Sequence, residues 1–132
     1  MKVAAIQMVS GASVQANLDA AAQLLRNAAD QGAELAVLPE YFCLMGNRDG
    51  DKLAIAETPG QGQVQAFLAA TAKALGLWLA AGTLPLASAD PTRVRNTHLV
   101  YSPQGECVAR YDKIHLFRFD NAKANLAEDT LR

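Results

Sequence analysis

Leu35-Ala36-Val37-Leu38-Pro39-Glu40 is the stretch on which the fold turns. Four apolar residues in a row, stopped by a proline, predict a short strand buried on both faces, with a carboxylate directly after it. Upstream, Val3 to Met8 is another apolar run, broken at Ser10-Gly11, and predicts a second such strand. Between them the period changes. Val14, Leu18, Ala21, Leu25 and Ala29 recur at three- and four-residue steps and define one face of a helix, with Ser13 as N-cap and Gly32 as stop. Together these segments predict a β-α-β unit of a parallel sheet.

Downstream of that unit, Tyr41 to Gly62 holds four glycines and the charged run Asn47-Arg48-Asp49-Gly50-Asp51-Lys52. It reads as loop with a short helix around Leu53. A second amphipathic helix is predicted over Gln63 to Leu75, with Val64, Phe67, Leu68, Thr71 and Leu75 on one face and Gly76 at its end. Leu77 to Thr83 reads as the third strand and Pro85 to Arg93 as a loop. Asn96 to Tyr101 and Glu106 to Tyr111 then form two strands around the turn Ser102-Pro103-Gln104-Gly105. The order predicts a layered α/β domain with a mixed sheet.

Composition narrows the function classes. In 132 residues, 51% hydrophobic and 19% charged, there is room for one domain with a core of its own. A formal net charge of −1, with no basic run carrying interleaved aromatics, argues against nucleic acid as a partner. The apolar runs are too interrupted to span a membrane, and Met1-Lys2-Val3 enters a strand without a signal-peptide core. Cys43 and Cys107, far apart and without metal-like spacing, fit a reducing cytoplasm. Both read as small apolar packing residues, and Trp78 and Phe67 as core.

Three segments stand out chemically. Leu38-Pro39-Glu40-Tyr41-Phe42 sets a carboxylate at a strand's carboxyl end, where α/β sheets gather ligands, although position alone favours a solvated loop acid. Tyr41 and Phe42 are candidates for lining a pocket beside it, or for packing into the core. Tyr111-Asp112-Lys113-Ile114-His115-Leu116-Phe117 puts a lysine just past the hairpin, where it either supports an oxyanion or is an ordinary surface lysine. The third is the frame around them: Ala4-Ala5-Ile6-Gln7-Met8 at the start, and Arg95-Asn96-Thr97 leading toward Tyr101-Ser102-Pro103-Gln104-Gly105. His98 and His115 lack the companions of a metal site. Gly60-Gln61-Gly62 precedes a helix but lacks the further glycine and the lysine of a phosphate loop.

In this order and spacing, the segments resemble the nitrilase superfamily of carbon–nitrogen hydrolases over essentially the whole chain to about Asp120. The Tyr-Asp-Lys-Ile-His-Leu-Phe wording is most similar to the amidase branch of ω-amidase and deaminated-glutathione amidase. The resemblance implies part of an α-β-β-α sandwich, associated into homodimers or larger oligomers. It implies hydrolysis of a small, carboxylate-bearing amide by a Glu-Lys-Cys triad, with no metal or organic cofactor. Glu40 matches the base and Lys113 the lysine. Glu128, in Leu126-Ala127-Glu128-Asp129, stands near where some members carry a second catalytic glutamate. The nucleophile's motif, which in the family follows the lysine, has no match before Arg132. These 132 residues therefore read as the amino-terminal portion of one such domain. The alternative is a truncated, non-catalytic module kept for association or small-molecule binding.

Overall fold

A computed structural model describes residues 1–48, 50–115, 118–121 and 124–127. Strands β1 (Val3–Ala5), β2 (Leu35–Val37) and β3 (Trp78–Ala80) run parallel, linked by helices α1 (Val14–Asp30), α2 (Asp51–Ile55) and α3 (Gln63–Leu75). Strand β4 (Leu84–Ala87) and the long β5 (Val94–Tyr101) follow, and β6 (Cys107–Asp112) closes the sheet. A two-stranded sheet of β7 (Arg118–Asn121) and β8 (Ala124–Ala127) follows in the chain. The result is the expected α/β fold with a mixed sheet.

Strand β5 organises the second half. Val100 is partnered by Ala80 on one edge and Ala109 on the other, while Thr97 is partnered by Leu84 and Asp112. Strands β3 and β4 therefore share one edge of β5, as two halves of a bent strand hinged at Ala81-Gly82-Thr83. The sequence placed a loop from Pro85 onward, and this is a correction. The Pro85 carbonyl accepts from the Glu57 N–H at 3.3 Å, on the edge away from β5. In an extended strand a residue's N–H and C=O share a side, so the N–H that proline lacks is not one β5 needs.

Helices α1 and α3 pack on one face of the sheet. The register puts Ala36, Leu79 and Tyr101 on that face, and all three join Leu18, Leu25 and Leu68 in the core. The Ser13 side chain caps α1 by accepting from the Ala16 N–H. At α3 the cap comes from further away: the Glu57 carboxylate accepts the Val64 N–H at 2.7 Å and the Gln65 N–H at 3.1 Å. Gly62 allows this, since a Cβ there would sit 2.2 Å from the Glu57 carboxyl carbon. Because Gln65 spends its own amide on Glu57, Thr58 and Gln61, it is buried, and Phe67, Thr71 and Leu75 are only half-buried.

The other sheet face is exposed at Val3, Val37 and Trp78. Val3, Leu35 and Trp78 lie across it in register, as do Ala5, Val37, Ala80, Val100 and Ala109. Trp78 is 41% exposed on this face, and Cys107 is exposed on β6. Both were expected to be core. They are not, because in a single sheet helices cover one side alone and β6 flanks β5 at the margin.

Candidate active site

The chain leaves β2 through Leu38, whose N–H still reaches the Ala80 carbonyl at 2.9 Å, and turns sharply after Pro39. Several side chains tie that turn down. The Tyr41 N–H donates to Thr83 Oγ1 at 2.9 Å, Ser10 Oγ donates to the Phe42 carbonyl at 2.7 Å, and Asn17 Nδ2 donates to the Cys43 carbonyl at 2.9 Å. Tyr41 itself takes the left-handed region at φ 49°, a conformation that non-glycine residues keep only where their surroundings demand it. The turn is over-determined. Its product is Glu40, held at the sheet's carboxyl end with its side chain 51% exposed.

The partners of Glu40 come from the hairpin. Thr97 faces Asp112 in the β5–β6 register, so the next residue, Lys113, arrives beside Asn96, and its N–H donates to the Asn96 carbonyl at 2.9 Å. Lys113 Nζ reaches Glu40 Oε1 at 3.1 Å across 73 residues of sequence. Asn96 Nδ2 donates to the same oxygen at 2.8 Å. Burial pulls the Glu40 carboxyl up, but hydrogen bonds from Asn96 and Lys113, with the charges of Lys113 and Lys52, outweigh it. Its pKa is lowered on balance.

The other sequence-predicted residues sort as follows. Phe42 is wholly buried in the core. Tyr41 is buried too, and the Lys52 ammonium lies 3.7 Å from its ring centroid. Glu128 lies outside the described residues. Cys43 is buried, and desolvation pushes its thiol up to about 12, which keeps it protonated and inert. His98 Nδ1 lies 2.6 Å from the Gly82 carbonyl, and His115 is exposed. No group of three metal-ligating side chains occurs among the described residues. None of the helices described is long and apolar enough to cross a membrane. In the sequence Asn96 figures only in the frame Arg95-Asn96-Thr97 and Lys52 only in a charged loop, neither with a role at Glu40. The signal for Asn96 was available: a polar residue in a strand whose companions are mostly buried.

The class the structure defines is a mixed α/β layer with a carboxylate–ammonium pair fixed at the carboxyl end of its sheet. The family within that class follows from comparison. Residues 2–131 match the carbon-nitrogen hydrolase family, and the chain belongs to it. It is 37% identical over 115 residues to a deaminated glutathione amidase of Synechocystis, covering 86% of this chain and 42% of that protein. It is 36% identical over 104 residues to an omega-amidase of Danio rerio, covering 79% and 36%. Among solved structures, the NitFhit protein of C. elegans superposes with a TM-score of 0.83 at 27% identity, over 96% of this chain and 31% of that one. An amidase of Nesterenkonia, as a glutamate-to-glutamine variant with acrylamide added at its active site cysteine, superposes with a TM-score of 0.75 at 25% identity, over 89% and 45%. The chain thus spans less than half the length of these relatives.

Proposed function

We propose that this chain supplies the base and the lysine of a thiol-dependent amidase acting on a small, carboxylate-bearing amide. The observation behind it is the convergence of Lys113 and Asn96 on one oxygen of Glu40. The amidase names of the relatives support the reaction class. A carboxylate held ionised by its neighbours can accept the proton of an attacking thiol, then pass it to the departing amine. The Lys113 ammonium, on the same oxygen, stands ready for the negative charge of a tetrahedral intermediate, which arises only as the reaction proceeds.

The nucleophile comes from outside these 132 residues. Cys43 is buried and protonated, and Cys107 stands at the far end of β6 from Lys113, about 20 Å along the strand. Glu128 is retained as a second acid. The test is ammonia release from small ω-amides of dicarboxylic and keto acids by the full-length protein. Glu40→Gln and Lys113→Met should each lower kcat by about 1,000-fold or more, within the range seen for groups acting on the transition state. Undiminished turnover in either folded variant would remove that residue from the chemistry.

A further inference from the structure

We propose that Asn96 is the positioning residue of the Glu40 carboxylate: with Lys113 it occupies Oε1 and leaves Oε2 as the oxygen that takes and returns the proton. The proposal rests on the reading of Glu40 as the general base.

Three observations converge on it. First, both donors reach Oε1, at 2.8 Å from Asn96 and 3.1 Å from Lys113, and no donor among the described residues reaches Oε2. Protonating Oε1 would cost both hydrogen bonds, whereas protonating Oε2 costs neither. The proton therefore moves from the thiol sulfur to Oε2, and from Oε2 to the leaving nitrogen, while Oε1 stays anchored. Second, Asn96 is 1% exposed, and its own Oδ1 is buried without a donor among the described residues. A carboxylate only accepts, so the amide must turn its NH2 toward Glu40, and Oδ1 is left to face the interior. Buried amides are ordinarily satisfied at both ends. Here the side chain's orientation is set by Glu40 at the expense of its own oxygen. Third, the Asn96 carbonyl accepts the Lys113 N–H at 2.9 Å, so one residue locates both ends of the ion pair.

The decisive measurement uses the unmutated protein. In an NMR titration, the Asn96 side-chain NH2 resonances should shift with the same midpoint as the Glu40 carboxyl carbon. A silent Asn96 amide would overturn the proposal. In Asn96→Leu, close in shape but without a donor, the Glu40 midpoint should rise; an unmoved midpoint in a folded variant would also overturn it. In the full-length enzyme, Asn96→Leu should cut kcat by roughly 10- to 100-fold, the worth of a hydrogen bond to a charged group, with KM little changed. The acid limb of its pH profile should move upward with the Glu40 midpoint. Coupled resonances with an unmoved acid limb would uphold the positioning and overturn Glu40 as the base.

Discussion

Gly82 passes under Pro39 so closely that a Cβ on it would lie 2.0 Å from the Pro39 carbonyl oxygen and 2.7 Å from that of Leu38. The obstruction is backbone, so no side chain can swing away to relieve it. Gly82 also sits at φ 56°, where an L side chain is strained whatever the space. The hinge between β3 and β4 is thus the floor on which the Glu40 turn rests. Gly82→Ala should cost about 2–4 kcal/mol in urea unfolding, from backbone strain plus displacement of the turn. Because the turn carries Glu40, the same variant should loosen the Glu40–Lys113 pair. A stability within about 0.5 kcal/mol of the parent would contradict this contact.

Acid should weaken the fold through the same residues. Desolvation raises the Asp112 carboxyl, but bonds from Thr97 and Arg110 and the charges of Arg110 and Arg95 outweigh it, so its pKa is lowered, as at Glu40. A carboxyl with a lower pKa folded than unfolded binds its proton more tightly in the unfolded chain. Its stabilising contribution is therefore full above the ordinary carboxylate range and is lost as pH falls through the lowered folded value. Urea midpoints should hold from neutrality down to the ordinary carboxylate range and then fall. Lys113→Met removes a donor and a charge from Glu40, so it should shrink the part of that loss due to Glu40. A parent midpoint flat through the acid range would contradict both assignments.

The two cysteines should separate cleanly under a thiol reagent. Cys107 is exposed, while Cys43 is 0% exposed with its thiol pushed up to about 12. An aromatic disulfide reagent at mildly alkaline pH should titrate one thiol in the native protein and two after denaturation. Cys107→Ser should abolish the native reaction; rapid labelling of Cys43 in the folded chain would show that the Glu40 turn opens.

Much of the architecture was legible because it is local. The apolar runs at Val3 and Leu35 and the three-four spacing from Val14 predicted β1, β2 and α1, and Gly76 marked the end of α3. Failures occurred where a distant partner changes what a residue type means. Polar type alone gives no sign that Asn17 and Gln65 are buried, as they are with loops wrapping their amides. Pro85 looks like a strand breaker, but its missing N–H points to the edge bridged by Glu57. The motif order singled out Glu40 and Lys113. The Lys113–Glu40 contact depends on the β5–β6 register, and the Asn96–Glu40 bond on the packing of β5 beside the β2–β3 pair, so no spacing rule could show either.

The open sheet face makes the last prediction. Val3, Val37, Trp78 and Tyr111 are 53%, 37%, 41% and 55% exposed on or beside it. Apolar residues so placed, on a sheet with strands at its margins, favour association over a free monomer. The 132-residue chain alone should therefore self-associate in sedimentation at micromolar concentration. Trp78 is the sole tryptophan and reports on the face directly. Dilution to the monomer should shift its emission to longer wavelength and open it to iodide quenching, while association should reverse both. Trp78→Lys puts a charge in the middle of the patch and should weaken self-association by about tenfold, roughly 1.4 kcal/mol. It should leave unfolding of the monomer within about 0.5 kcal/mol, since the side chain is partly solvated there already. A monodisperse parent with a fully quenchable Trp78 at high concentration would show that the face tolerates water, and that β1 to β3 need no cover to stay folded.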